Sequence, residues 1–134
     1  MTIFSAIGIA GTGVTVYRKW LDAISDNVAN INDVVPVSGQ AFRARYVQAQ
    51  AVNYGSGEGG AVVAGTALGD PKGRLVYEPE NPLADHEGYV KYPEIDLASQ
   101  MTQMIMAQRA YQANLTVVDR AKDAYQAAIQ IGKG

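Results

Sequence analysis

Acidic side chains and the only histidine lie close together in one segment, where catalysis or metal binding could be sought. Carboxylates and imidazole can act as general acids and bases and can bind metal ions. The prolines of this segment indicate a loop, however, where charged side chains are commonly just solvated. We therefore predict neither catalytic activity nor a bound cofactor or metal. The residues considered are Glu78, Glu80, Asp85, His86, Glu87 and Glu94, with Pro79 and Pro82 among them.

A glycine-rich stretch, GSGEGGAVVAG at 55–65, resembles a phosphate-binding loop in composition alone. A phosphate loop also needs a following Lys-Ser or Lys-Thr pair and a strand that leads into a helix. Neither feature is present, so the stretch instead predicts a flexible connection within a β-hairpin.

The composition narrows the class of protein further. The chain has 134 residues, 48% of them hydrophobic, which is the size of one ordinary domain. It has no cysteine, so thiol nucleophiles and thiolate metal sites are excluded. The formal net charge is −2, and basic and acidic residues are interspersed. Because a nucleic-acid partner requires a basic surface, we expect no nucleic-acid binding.

The first seventeen residues carry no charge, which raises the question of a signal peptide or a membrane span. No basic region precedes this stretch, and the first positive charge, Arg18, follows it. That order is opposite to the order in a secretory signal. The stretch is also shorter than the roughly 20 residues that a spanning helix needs. We expect neither a cleaved signal peptide nor direct membrane insertion.

Glycine and proline residues divide the chain into three parts. Helical patterns occupy an N-terminal segment at 1–38 and a C-terminal segment at 95–134, and a middle module at 39–94 is rich in glycine and proline. Within the middle module, short strands are predicted at 41–48, 60–65 and 74–78, as part of three to five strands in all. The predicted fold class is α+β, with two long terminal helices and a small, mainly β middle module.

The N-terminal pattern predicts a helix from about residue 3 to 35. Apolar residues recur at alternating spacings of four and three, which is typical of a helix packed lengthwise on another helix. A second apolar row, which includes Gly13, Val16, Trp20 and Ala23, lies beside the first. The first row consists of Ile3, Ile7, Ala10, Val14, Tyr17, Leu21, Ile24, Val28, Ile31 and Val35.

The C-terminal pattern predicts a helix from about residue 95 to 131, again with two apolar rows. Gln108 and Lys122 interrupt its first row, and Ile105 and Met106 add apolar surface to the polar side. The first row consists of Leu97, Met101, Met104, Tyr111, Leu115, Val118, Tyr125 and Ile129. The second row consists of Ala107, Ala110, Val117, Ala121, Ala124, Ala128 and Ile131.

Simple dimensions favour an assembly over an isolated molecule. A compact domain of this length is a sphere roughly 36 Å across, whereas each predicted helix extends about 50 Å or more. An antiparallel pair of the helices buries one row of each. The second rows would then stay in water, at a cost of roughly 25 cal/mol for each Å² of apolar surface that is left exposed. We expect other chains to cover them, and a dimeric four-helix bundle remains an alternative at this point.

Four segments resemble those of bacterial flagellar axial proteins. They are SDNVANIND at 25–33, NPLADHEGYV at 81–90, RAYQAN at 109–114 and AIQIGK at 128–133. The second segment is similar to the rod members of that family and distinguishes them from filament and hook proteins. The resemblance covers nearly the whole chain.

The resemblance implies a structural subunit of the proximal rod, the tubular drive shaft that transmits torque in the flagellar basal body. It implies an antiparallel coiled-coil layer made by the two terminal helices. The implied partners are other copies of the chain, other rod subunits and the flagellar type III export apparatus. The implied location is the rod in the periplasmic space, reached without a cleaved signal peptide. The alternative is a coiled-coil adaptor or oligomeric interaction protein without catalytic activity.

Within this interpretation, several polar residues of the terminal segments have expected roles. We expect Arg109 to meet a carboxylate of a neighbouring subunit and the Tyr111 hydroxyl to find a partner at a helix junction. Gln108 and Asn114 either fix the register of packing or are gaps exposed to water. Asn27 and Asn30 are suited to bonding the local backbone where the chain leaves the first helix.

The predicted assembly interface combines these polar residues with members of the apolar rows. It consists of Ile7, Val14, Tyr17, Trp20, Leu21, Ile24, Asn27, Val28, Asn30, Ile31, Met101, Met104, Gln108, Arg109, Tyr111, Asn114, Leu115, Val118, Ala121, Tyr125 and Ile129.

Overall fold

The structure, a computed structural model, describes residues 2–55 and 58–134. Two long helices enclose four strands, so the predicted α+β class is confirmed. In chain order the elements are α1 (Ile3–Ala29), β1 (Arg45–Gly55), β2 (Glu58–Leu68), β3 (Arg74–Tyr77), β4 (Tyr89–Tyr92) and α2 (Leu97–Gly132).

Side-chain caps mark where both helices begin. Thr2 Oγ1 accepts a hydrogen bond from the Ser5 amide (3.1 Å), and an Asp96 carboxylate oxygen accepts one from the Ser99 amide (2.9 Å). Each cap satisfies a backbone N–H group that has no partner within its helix. With 27 and 36 residues, α1 and α2 are about 40 and 54 Å long.

The first helix ends at Ala29, so its predicted extension to residue 35 is wrong. Asn30 follows the helix, and its amide and its side-chain Nδ2 both donate to the carbonyl oxygen of Asp26, at 3.1 and 2.7 Å. The amide bond is the last of the i→i−4 bonds of the helix, because the next amide, that of Ile31, donates to the Val28 carbonyl oxygen (3.4 Å) in a tighter turn. Ile31 and Val35, predicted as the last members of the apolar row, therefore lie outside α1. Val35 instead exchanges two backbone hydrogen bonds with Lys91, both of 2.9 Å.

The helices pack as an antiparallel pair. Near the start of α1, the rings of Phe4 and Tyr125 meet edge to face with their centroids 5.4 Å apart. At the other end of α1, Asn27 Nδ2 donates to Gln100 Oε1 (3.0 Å). The pairing of the first residues of α1 with the far part of α2 agrees with the predicted coiled-coil layer.

The strands form two separate antiparallel pairs. β1 and β2 make a long hairpin in which Arg45 is opposite Leu68 and Gly55 is opposite Glu58, with a bulge beside Gln48. Most of the 55–65 stretch, predicted as a flexible connection, is therefore strand. The two joining residues, 56 and 57, lie outside the described residues. β3 and β4 make a shorter ribbon, and Val90 of β4 is fully buried.

The β1–β2 hairpin lies along α1 and covers its second apolar row. The amide of Ala61 donates to Thr12 Oγ1 (3.1 Å), and a side chain at Gly60 would collide with Thr12. Farther along, Val16 and Trp20 of α1 share a groove with Val47, Ala49 and Ala61 of the hairpin. The expectation that the second row of the first helix stays in water is therefore wrong, because the middle of the chain supplies the cover.

Candidate assembly surface

A buried polar junction ties α1, β1 and α2 together. Asn27 is only 1% exposed, and its Nδ2 donates both to the Arg45 carbonyl oxygen and to Gln100 Oε1, each at 3.0 Å. Its Oδ1 accepts from the Arg45 amide (2.7 Å). Gln100 is 2% exposed. Every polar atom of the Asn27 side chain is thus bonded in the interior, which fixes the relative positions of the three elements.

The expected local role of the two asparagines is correct for Asn30 and wrong for Asn27. Asn30 bonds the last turn of its own helix, whereas Asn27 reaches two other elements. At the surface beside this junction, Arg45 and Asp26 form an ion pair in which both side chains are about half exposed. Exposed pairs of this kind stabilise a fold by about 1 kcal/mol or less, so the buried asparagine is the stronger constraint.

A second close contact between the helices lies at Gly13. A Cβ at this position would be only 2.6 Å from Asn114 Oδ1, so the glycine allows Asn114 to pack directly against α1. Asn114 Nδ2 donates to the Ala110 carbonyl oxygen (2.8 Å), which holds the side chain in place. Asn114 is therefore part of the helix contact within one copy. Gln108 is exposed in one copy, so its role between subunits stays a prediction.

The structure sorts the predicted interface residues by exposure, and it leaves their role between subunits as a prediction. Most of them already contact this chain's own elements. Ile24 and Asn27 are buried. Ile7, Val14, Tyr17, Trp20, Leu21, Val28, Asn30, Ile31, Met104, Tyr111, Asn114, Val118 and Ala121 are half-buried. Met101, Gln108, Arg109, Leu115, Tyr125 and Ile129 are exposed.

An apolar surface remains uncovered along the first half of α2. We call it the outer α2 surface and define it by Leu97, Met101, Ile105, Met106 and Leu115. Ile105 is 50% exposed and Met106 is 56% exposed. The sequence pattern had marked both as apolar residues on the polar side of the helix, although neither was in the predicted interface. Within the described residues, α1 is the only helix or strand that packs against α2.

The far end of α2 extends past the start of α1. Tyr125 is the residue that meets Phe4, and α2 continues from there to Gly132, about 10 Å farther. Ile129 and Ile131 lie on this extension, and Ile131 is 82% exposed. The extension therefore adds exposed apolar surface at this end of α2.

The acidic segment forms the loop between β3 and β4, and its carboxylates hold that loop together. Tyr92 Oη and Asn81 Nδ2 donate to the two oxygens of Glu78, each at 2.9 Å. Asp85 Oδ1 accepts from the amides of Glu87 and Tyr89, at 3.0 and 2.9 Å. Residues 2–55 and 58–134 contain no group of three or more side chains arranged to hold a metal ion.

The Tyr92 hydroxyl has a perturbed acidity as a result of this arrangement. Its hydrogen bond to Glu78 raises the pKa of Tyr92 above the usual value, with smaller contributions from burial and from the negative charge of Glu78. The nearby Arg74 acts in the opposite direction. Because Tyr92 and Glu78 join the ribbon to its loop, the acidic cluster is a structural feature of the ribbon.

Neither helix, over its described residues, combines enough length with enough hydropathy to qualify as a spanning segment.

Comparison with known proteins identifies the family. The family described as "Flagellar basal body rod FlgEFG protein C-terminal" matches residues 86–131. Over its length the chain is similar to the flagellar basal-body rod protein FlgC of Escherichia coli O157:H7, with 36% identity over 99% of this chain and 100% of the relative. The FlgC protein of Salmonella typhimurium is 35% identical over 99% of this chain and 100% of the relative. The FlgC protein of Borreliella burgdorferi is 34% identical over the whole of both chains. The chain therefore belongs to the FlgC family of flagellar basal-body rod proteins.

Proposed function

We propose that this chain is a structural subunit of the proximal rod, and that it assembles through its terminal helices into a tubular drive shaft that transmits torque. Family membership confirms the predictions of a flagellar rod component and of a structural protein that is not an enzyme. The observation that supports assembly through the helices is the outer α2 surface, which one copy leaves exposed. A cluster of exposed apolar side chains commonly marks a protein–protein contact.

The partners that we propose are other copies of the chain and other rod subunits, and the type III export apparatus during secretion. We also propose that the rod position is periplasmic and is reached without removal of a signal peptide. The structural support is that Ala10 and Val16, in the uncharged N-terminal stretch, are buried in α1. Cleavage after this stretch would remove the helix surface on which the hairpin and α2 both pack.

The division into segments 1–38, 39–94 and 95–134 also remains a proposal. The two helices lie within the outer segments and the four strands lie within the middle one. Because the β1–β2 hairpin packs along α1, we expect this part of the middle segment to depend on the N-terminal helix. The short β3–β4 ribbon makes no contact with either helix over the described residues, so we expect it to be the more independent part.

The proposed function can be tested by replacing the chromosomal gene with variants. A deletion strain should not swim and should lack completed rods, and the wild-type gene should restore both. Ile105→Glu places a charge on the outer α2 surface, so we expect it to block swimming and rod completion. Its free energy of unfolding should change by about 0.5 kcal/mol or less, since the side chain is half exposed.

Gln126→Glu provides the matched control. Gln126 is exposed in the charged second half of the same helix, outside the outer α2 surface, so the same new charge should leave swimming intact. A deletion strain that still swims and builds rods would contradict the proposed function. Normal swimming with Ile105→Glu would contradict assembly through the outer α2 surface. A stable dimer with its α2 surfaces covered, and no incorporation into basal bodies, would favour the adaptor alternative.

A further inference from the structure

We infer that the outer part of the β1–β2 hairpin is a strap that opens from α1 while the base of the hairpin and the rest of the fold stay in place. We call this part the hairpin arm and define it as residues 49–55 and 58–63. Its opening uncovers Val16 and Trp20, the two apolar side chains of α1 that lie beside the arm. The inference concerns a single copy of the chain and goes beyond the proposed function.

The base of the hairpin is firmly held. The backbone amide and carbonyl of Arg45, the first residue of β1, are both bonded to the side chain of the buried Asn27. Ala44, just before the strand, is 2% exposed, and its carbonyl oxygen accepts a hydrogen bond from the Gly69 amide (2.8 Å) just after β2. The two ends of the hairpin are therefore joined to each other, and the first end is joined to α1.

The hairpin arm is held much more lightly. Past Arg45, the only hydrogen bond between the hairpin and α1 in the described part of the chain runs from the Ala61 amide to Thr12 Oγ1 (3.1 Å). No residue of the described strands β1 and β2 is fully buried. One hydrogen bond and a set of partly exposed side chains therefore connect the arm to the helix.

The packing beneath the arm is open on both sides. A groove of about 240 Å³ separates the hairpin from Tyr17 and Trp20 on one side, and a groove of about 280 Å³ separates it from Thr15 on the other. Val16 and Ala61 line both grooves, so the contact between arm and helix is a narrow line. Protein interiors are normally close-packed, with few voids larger than a water molecule. The arm therefore loses few packing contacts when it leaves α1.

An irregularity in the strand pairing lies between the base and the arm. Gln48 is opposite Gly65, but the next residue, Ala49, is opposite Val63, so Ala64 has no residue opposite it. A β-bulge of this kind interrupts the ladder of hydrogen bonds and bends the strand. The bulge is therefore the point about which the arm moves relative to the base.

Opening of the arm has a measurable consequence for its own hydrogen bonds. A two-stranded hairpin is at best marginally stable in water unless it packs on another element. An arm that leaves α1 therefore also loses the protection of its cross-strand amides. Parts of a protein that open locally do so at a lower free energy than global unfolding. Amide exchange in the arm thus reports how often it opens.

Hydrogen exchange of the purified full-length protein, followed by NMR at urea concentrations below the unfolding transition, tests the inference. The reference amides are those of residues 13–28 of α1, which include the helix surface beneath the arm. We expect protection factors of the bonded amides in the arm to be about tenfold or more lower than those of the reference. They should also depend less on urea, because opening of the arm exposes less surface than global unfolding.

Thr12→Val removes the acceptor of the Ala61 amide with little change in size. We expect it to raise exchange in the arm about threefold to tenfold, as for the loss of one hydrogen bond, and to leave the reference amides unchanged. The matched control is Thr15→Val, because the Thr15 hydroxyl bonds only the Gly11 carbonyl oxygen within α1 (3.2 Å). It should leave exchange in the arm unchanged. Thr12→Ser keeps the acceptor and should behave like the original protein.

Three outcomes would overturn the inference. Equal protection and equal urea dependence in the arm and in residues 13–28 would show that the arm opens only when the helix does. A change by the same factor in both sets of amides with Thr12→Val would show the same. An equal rise in arm exchange with Thr12→Val and with Thr15→Val would show that the bond between Thr12 and Ala61 does not hold the arm.

Discussion

The two long helices have similar sequence patterns but very different surroundings. Each carries two apolar rows, and each contributes one side to the antiparallel contact. The second row of α1 is covered by the β1–β2 hairpin, and Ile24 of α1 is 1% exposed. The outer α2 surface has no such cover, and Ile105 is 50% exposed. The comparison teaches that the periodicity of a helix shows how much surface needs cover, but not whether the same chain or a neighbour provides it.

The largest expected difference between the helices comes from a buried charge. Ala23 of α1 is 8% exposed and borders the hairpin, so Ala23→Glu should lower the free energy of unfolding by about 3 kcal/mol or more. Ile105→Glu on α2 should leave it nearly unchanged. Urea denaturation of the two purified variants measures both effects. Equal losses would mean that the two helices are covered to the same extent, which would contradict the structure.

The junction where the helices meet β1 should be the next most sensitive place. Asn27→Ala removes the donor for Gln100 Oε1 and for the Arg45 carbonyl oxygen, together with the acceptor for the Arg45 amide. Leaving such buried groups unbonded should cost about 2–4 kcal/mol. Asn30→Ala loses one local hydrogen bond to Asp26 and should cost about 1 kcal/mol or less. A ranking in the opposite order by urea denaturation would contradict the role assigned to Asn27.

Two glycines of α1 should respond in opposite directions to the same substitution. Gly11→Ala meets no atom within 4 Å, so it should stabilise the isolated protein by up to about 1 kcal/mol through helix propensity. Gly13→Ala would press on Asn114 and displace it from its bond with Ala110. The collision offsets the propensity gain, so we expect no stabilisation or a loss of about 1 kcal/mol. Thermal denaturation of both variants measures these changes in stability. An equal gain in stability for both variants would show that the helices are not in close contact at Gly13.

The smallest effect concerns the β3–β4 ribbon, which lies apart from both helices and serves as a reference for them. The pKa of Tyr92 is raised by its bond to Glu78, above the usual 10.0. The contribution of this pair is therefore fully present below pH 10.0 and is lost as the pH rises through the folded-state value. Tyr92→Phe and Glu78→Gln should both weaken the fall of stability in this alkaline range, as measured by thermal denaturation. Variants with an unchanged alkaline slope would contradict the coupling.

Much of the fold could be predicted because helical periodicity extends over long stretches. The existence of both helices follows from it. The mainly β middle was predicted from its glycines, prolines and strand-like segments, and the antiparallel pairing was implied by the resemblance to flagellar axial proteins. The end of α1 could not be predicted, since Ile31 and Val35 continue the apolar spacing beyond the helix. At the end of the helix the Ile31 amide bonds the Val28 carbonyl oxygen instead of continuing the i→i−4 pattern, and the apolar spacing does not reveal this change. Strand β4 has only four residues, too few for a period to show.

The candidate site was harder to predict because its key contacts are distant in sequence. Asn27 was interpreted as a residue that bonds nearby backbone, as polar residues at helix ends often do. Its actual partners, Arg45 and Gln100, lie 18 and 73 positions away. The cover that the hairpin provides for α1 was missed for the same reason. By contrast, the exposure of Ile105 and Met106 could be predicted from the sequence, because both are apolar residues on the side of the helix that is otherwise polar.

The central claim is that the outer α2 surface is open in one copy and covered in the rod. Two methionines on this surface, Met101 and Met106, provide the most direct measurement through their rates of oxidation by hydrogen peroxide, followed by mass spectrometry. Met104, half-buried on the same helix, serves as the internal reference. We expect Met101 and Met106 to oxidise readily in the free protein and about tenfold or more slowly in purified basal bodies, because burial limits access to the sulfur. Equal rates in the free protein and in basal bodies would contradict the account.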